Sequence, residues 1–254
     1  MNRQSLDREE LTEFLARTLN TAQIQDYCPN GLQVEGRREI RTLISGVTAS
    51  LALIEAARDA GADAVLVHHG YFWRDENPCV VGTKQRRLKM LLQNDINLFA
   101  YHLPLDLHAE LGNNAQLAKR LGLTADGRFG RNDIGWLGRA DASLGTLGDL
   151  ATRVTERLGR EPLLIGNQAT ALGRVAWCSG AAQNMLADAA AAGASVFLSG
   201  ELSEQTMHLA RETSTAYLAC GHHATERYGV QALGELVAQT FGVTHRFIDI
   251  DNPA

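Results

Sequence analysis

The chain has 254 residues, a net charge of −5, 45% hydrophobic residues and 21% charged ones. That length supports a sizeable core, as one large domain or two small ones, and the balance excludes a disordered chain. The acidic excess removes any bulk attraction to nucleic acid or anionic lipid.

Cys28, Cys79, Cys178 and Cys220 form no C-x-x-C pair. Their spacing fits neither a zinc knuckle nor a disulfide framework and suits a reducing compartment. The N-terminus MNRQSLDREE lacks a signal-peptide apolar region, and the most apolar stretch, residues 181–198, is broken by Gln183, Asn184, Asp188 and Gly193. The expectation is a cytoplasmic protein with no membrane or nucleic-acid partner.

In chain order, the pattern predicts a helix over residues 5–19, with Asp7 and Glu10 at capping-box spacing and Leu11, Phe14, Leu15 and Leu19 on one face. A turn at Cys28-Pro29-Asn30-Gly31 precedes a buried strand over 42–47. Ser50 caps a helix that Gly61 ends. The strand 64–67 runs into His68-His69-Gly70. A basic helix over 84–93, carrying Lys84, Arg86, Arg87 and Lys89, leads to a strand over 97–101 and then His102.

The second half repeats this order. A helix over 147–158 and a short strand at 163–165 lead into a strand over 174–178, followed by Gly180. An Ala-rich helix ends at Gly193, and a strand over 196–199 ends at Gly200-Glu201. Ser203 caps a helix through Arg211, and a strand over 216–220 follows. Both halves then close alike, on His102-x-x-x-Asp106 and on His222-x-x-x-Glu226. Such a repeat changes how much weight each motif carries. Strands alternating with helices predict two related α/β domains with mainly parallel sheets covered by helices. The Gly-rich region 127–148 reads as the junction between them.

Ligands bind beyond the carboxyl ends of parallel strands. His68, His69, His102, His222 and His223, five of the eight histidines, occupy such ends beside Asp106, Glu201 and Glu226. A lone histidine there is usually an ordinary hydrogen-bonded residue, and His108, His208 and His245 are read that way. Two H-x-x-x-D/E motifs at equivalent points of a repeat, plus a paired histidine, are harder to dismiss. His68, His69, Asp106, His222 and Glu226 are therefore the expected ligands of two divalent ions. Imidazoles and carboxylates without thiolate suit Zn, Mn or Fe. His102, His223 and Glu201 are the candidates for moving protons or orienting ligands. Of Tyr71, Phe72 and Trp73, at least two are expected in the core. The basic cluster reads as a solvated helix face, with phosphate binding as the alternative.

The segments Tyr27–Gly36 (YCPNGLQVEG), Gly61-Ala62-Asp63-Ala64, His68-His69-Gly70, His102-Leu103-Pro104-Leu105-Asp106, Gly200-Glu201 and Gly221-His222-His223-Ala224-Thr225-Glu226 resemble the NIF-three-like dinuclear-metal family. Its members are also called GTP cyclohydrolase I type 2 homologues. The resemblance implies a toroidal homohexamer and a metal site at the interdomain cleft, with Glu226 bridging both ions. It also implies one domain from residues 1–125 with 226–254 and a second from 126–225. The activity it implies is opening of a purine nucleotide ring, of GTP or a damaged nucleotide, by a metal-generated hydroxide. Another two-metal hydrolysis, of a phosphoester or amide, and a non-enzymatic metal-binding hexameric scaffold are the alternatives.

Overall fold

A computed structural model describes residues 5–254. The chain divides into two compact units, one made of residues up to Leu111 with Gly229–Asp251, the other of Gly112–Tyr228 with Asn252–Ala254. Each unit has its own sheet and its own pair of hydrophobic clusters.

In the first unit, Asp7 caps the helix Arg8–Thr18 by accepting from the Glu9 amide at 2.8 Å. The helix starts later than its expected bound at residue 5, because Leu6–Asp7 pairs antiparallel with Glu39–Ile40. The five-stranded sheet runs in the order Thr244–Phe247, Thr42–Thr48, Ala64–His69, Asn97–Ala100, Gly31–Val34. Its first four strands are parallel neighbours, and Gly31–Val34 lies antiparallel on the edge. The strand Ala64–His69 occupies the centre and is buried from Ala64 to His68, which its nearly unbroken apolar sequence dictates. Ser50 caps the crossover helix Leu51–Asp59 by accepting from the Leu53 amide at 3.2 Å. A second crossover helix, Gly82–Gln93, buries Leu88 and Leu91, exposes Arg86 and Lys89 and leaves Lys84 and Arg87 partly buried.

The second unit carries a six-stranded sheet in the order Leu123–Phe129, Gly135–Ala140, Val175–Trp177, Val196–Ser199, Ala216–Ala219, Leu163–Ile165. The three middle strands Val175–Trp177, Val196–Ser199 and Ala216–Ala219 are parallel and sequential, as Thr42–Thr48, Ala64–His69 and Asn97–Ala100 are in the first unit. The repeat is therefore a repeat of three parallel strands with their crossovers, and the antiparallel strands are additions at its edges.

The Gly-rich stretch over 127–148 is not a junction but part of this sheet. Leu123–Phe129 and Gly135–Ala140 form an antiparallel pair with a register shift between Ala125 and Gly127. Its glycines permit close packing: a Cβ on Gly138 would lie 2.0 Å from the Thr124 carbonyl, and one on Gly135 would lie 2.6 Å from the Phe129 ring. A domain boundary at 125/126 would fall inside the first of these strands; the division between compact units comes at 111/112, and again at 228/229 within the helix His222–Phe241. Among the described residues, no helix is long and apolar enough to cross a membrane.

Candidate metal centre

In the first unit, His68 and His69 end the central strand, and their ring centroids lie 4.6 Å apart. An extended strand sends consecutive side chains to opposite faces, so the turn at Gly70 is what lets the rings converge. Gly70 has no room for a side chain: a Cβ would lie 2.2 Å from Gln33 Oε1 and 2.5 Å from Ala100 Cβ.

His102 follows the neighbouring strand with φ −98° and ψ −103°, and it opens the short helix Leu103–Leu107 that carries Asp106. Its ring centroid is 5.0 Å from that of His68 and 5.8 Å from that of His69. A nitrogen from each of these three imidazoles lies within 4.8 Å of the others. His68 Nε2 and Asp106 Oδ2 stand 3.6 Å apart, too far for a good hydrogen bond and well placed for two ligands of one ion at about 2.1 Å.

In the second unit, Glu201 follows the strand Val196–Ser199, and His222 and Glu226 lie on the first turn of the helix His222–Phe241. The i, i+4 spacing places both on one helix face. His222 Nε2 is 3.0 Å from Glu226 Oε2, and His222 Nδ1 is 2.7 Å from Glu201 Oε1. Burial disfavours charge on His222, but Glu226 and Glu201 outweigh it and push its pKa up to about 9.

Gly180, at φ +67°, makes room for this group: a Cβ there would lie 2.2 Å from Glu226 Oε1 and 3.3 Å from His222 Nε2. Thr225 ties the cradle together, donating to the His222 carbonyl at 2.8 Å and accepting from the Gly180 amide at 3.0 Å.

The imidazoles share one pattern. His68 Nδ1 faces the Tyr101 carbonyl at 3.0 Å, His69 Nδ1 the Thr48 hydroxyl at 3.1 Å, and His222 Nδ1 the Glu201 carboxylate. A carbonyl or carboxylate oxygen only accepts, so Nδ1 of His68 and of His222 carries a proton; at His222, where Nε2 also faces a carboxylate, both nitrogens are protonated near neutral pH, and a bound cation would take the place of the Nε2 proton. Metal-binding histidines are oriented in this way. Glu201 thus holds the His222 ring through its Nδ1.

Asp26 does the same for His102, with Nδ1 3.1 Å from its Oδ1. Its carboxylate is almost fully buried and also accepts from the Tyr27 amide at 2.7 Å, the Leu103 amide at 2.9 Å and the Asn30 side chain at 3.0 Å. Burial alone would raise its pKa, but these bonds, led by that to His102, hold it at about 2. Sequence reading missed Asp26, although it directly precedes the Tyr27–Gly36 motif; one carboxylate in a polar turn gives no periodic or spacing signal. Nearby Cys28 belongs with Asp26 and His102 to another group of closely spaced donor atoms, and burial and then the Asp26 charge push its pKa up to about 12.

His223 is buried, and its backbone amide bonds to the Ala254 carbonyl at 3.2 Å. His208 pairs with Glu204 at 3.0 Å, His108 accepts from the Leu111 amide at 3.0 Å, and His245 pairs with Ser45 at 2.8 Å, in line with their ordinary reading. Only Tyr71 of the three aromatics after the histidine pair belongs to the core, where its hydroxyl bonds to Ala49. Phe72 is exposed with φ +65°, and Trp73 sits against Tyr27 and His102, so the expectation of two core residues fails. Gly70 and the turn after it carry the chain out of the sheet before those two positions are reached. Within the basic cluster, Lys84 pairs with Glu76 at 3.2 Å and Arg87 lies over the Tyr71 ring, so neither is a free phosphate ligand.

The family model for Duf34/NIF3 (NGG1p interacting factor 3) matches residues 6–253. A "GTP cyclohydrolase 1 type 2 homolog" of Pseudomonas aeruginosa is 56% identical over 250 residues, covering 96% of this chain and 97% of the relative. Its namesake in Escherichia coli K12 is 49% identical over 246 residues, covering 96% and 98%. A solved structure described as "protein ybgI, unknown function" superposes with a TM-score of 0.93 at 47% identity, covering 98% of this chain and all of that one.

Proposed function

We propose, from the premise that this chain belongs to the Duf34/NIF3 family, that it is a dinuclear-metal-dependent hydrolase resembling GTP cyclohydrolase. In this reading His68, His69, Asp106, His222 and Glu226 would hold two divalent ions of Fe, Zn or Mn. The observation that carries it is the common orientation of the imidazoles, each with Nδ1 against a protein oxygen, which presents Nε2 of His68 and of His222 to a carboxylate. The donor set fits such ions: three imidazoles and two carboxylates, no thiolate, and His–carboxylate pairs 3.0 and 3.6 Å apart.

When bound, a pair of such ions generates a nucleophile from water near neutral pH and acts as a Lewis acid on a carbonyl or phosphoryl oxygen. The protein's part is to hold the donors. The Tyr101 carbonyl, Thr48 and Glu201 keep His68, His69 and His222 in register. Gly180 leaves space for the Glu226 carboxylate. Glu201, committed to His222, acts by positioning, and His223 keeps the role of proton carrier. The substrate is a small molecule, GTP or a damaged nucleotide, and the working assembly is a homohexamer with the family's toroidal form.

Elemental analysis of the purified protein tests the centre: the expected result is about two divalent ions per chain. His222→Ala and Glu226→Ala should each lose metal with the fold retained. Metal-loaded protein should release formate from GTP. No formate from GTP, with turnover of a generic phosphodiester or amide in the same panel, would replace the cyclohydrolase reading with another two-metal hydrolysis. Unchanged metal content in both variants would remove the ligand assignment itself.

A further inference from the structure

Resting on that reading of a metal centre, we infer that His102 is an additional nitrogen ligand of the ion held by His68, and that Asp26 is the residue that positions it. Neither residue is among the five ligands of that centre.

His102 shares the geometry of the other imidazoles. Its Nδ1 is committed to Asp26, at 3.1 Å from Oδ1 and 3.2 Å from Oδ2. A carboxylate only accepts, so Nδ1 carries the proton and Nε2 keeps the lone pair. The His102 side chain is 9% exposed and that of Asp26 2% exposed. The same ring neighbours those of His68 and His69, with centroids 5.0 and 5.8 Å away. Nitrogens of all three rings fall within 4.8 Å of one another. Two ligands of one ion at about 2.1 Å are at most about 4.2 Å apart, so the cluster needs only a small contraction to close on a cation.

Asp26 is built to fix this ring rather than to titrate. It accepts from the Tyr27 and Leu103 amides and from Asn30, while Asn30 Oδ1 accepts from the His102 amide at 2.7 Å. Backbone and side chain of His102 are thus held by one polar turn. Trp73 and Tyr27 pack on its ring at centroid distances of 5.1 and 5.0 Å, which limits other rotamers. A carboxylate–histidine–metal relay of this form raises the basicity of the ligand and fixes its tautomer.

The test is metal binding by the full-length protein, read by chelator competition with Zn²⁺ and by the visible spectrum of the Co²⁺-substituted form. His102→Ala and Asp26→Ala should weaken one of the two ions about 10–100-fold and change the Co²⁺ bands, whose position reports the nitrogen donors. Asp26→Asn, which keeps an acceptor oxygen, should fall between wild type and Asp26→Ala. Because Asp26→Ala also strips acceptors from two amides, His102→Gln serves as the variant that leaves the turn bonded. It should show the same loss with an unchanged circular dichroism spectrum. Wild-type affinity and an unshifted Co²⁺ spectrum in His102→Gln would overturn the inference while leaving the five-ligand centre standing. Failure of the wild-type protein to bind Zn²⁺ or Co²⁺ would overturn both.

Discussion

At the scale of single residues, the candidate ligands were legible because they stand at strand ends in a repeated H-x-x-x-D/E pattern. What orients them was not. Asp26, the Tyr101 carbonyl and Thr48 reach the imidazoles through space, and no spacing rule connects residues 76 or 33 positions apart. Gly180 lies between these cases: its place just after a strand was visible, its reason was not. Gly180→Ala should strain the backbone at φ +67° and press a methyl against the Glu226 carboxylate. Gly61→Ala is the matched control, because Gly61 has φ +70° with nothing within 4 Å of its would-be Cβ. Both should cost about 1–2 kcal/mol from the left-handed backbone. Only Gly180→Ala should also lower metal content, measured by elemental analysis; equal metal loss, or none, in the two variants would refute the cradle.

At the scale of elements, sequence reading succeeded where a local signal and the burial pattern agree. The helix Leu147–Leu158 and the strands Leu163–Ile165 and Val196–Ser199 fall where the pattern puts them. It failed at Leu123–Phe129 and Gly135–Ala140, where glycines that allow close strand contact were mistaken for a linker, and exposed polar residues hid the alternation. The helix Leu147–Leu158 shows why capping signals are reliable. Thr146 Oγ1 accepts from the Asp149 amide at 3.2 Å, and Asp149 Oδ2 accepts from the Thr146 amide at 2.8 Å, a complete capping box. The helix buries Leu147, Leu150, Val154 and Leu158 in the core of its unit, so fraying at its start is felt there. Thr146→Ala should cost about 1 kcal/mol, seen as a lower urea midpoint at unchanged slope, and Thr146→Ser should restore most of it. A Thr146→Ala midpoint equal to wild type would mean that solvent caps the helix as well as Thr146 does.

At the scale of the whole molecule, stability should depend on pH through a histidine remote from the metal ligands. His245 lies on the strand Thr244–Phe247, bonded to Ser45 Oγ at 2.8 Å, with Gly234 so close that a Cβ there would lie 2.2 Å from its Nε2. Burial, its only resolved cause, lowers the pKa of His245 below the ordinary 6.5. The sign follows from proton counting. Below pH 6.5 the unfolded chain takes up a proton at this position, while the folded chain still resists it. The unfolded state then binds more protons, so stability falls as pH drops from 6.5 and levels off below the lowered folded value; above 6.5 the contribution is complete. His108, whose pKa burial also lowers, adds a slope of the same sign, so the wild-type curve alone does not isolate His245. The difference between wild type and His245→Gln does, because glutamine keeps a hydrogen-bonding group and does not titrate in this range. Urea midpoints measured from pH 8 to pH 5 should therefore fall less steeply for His245→Gln than for wild type, with the two curves parallel above pH 7. Curves that stay parallel down to pH 5 would show that the folded protein protonates His245 as readily as the unfolded chain does.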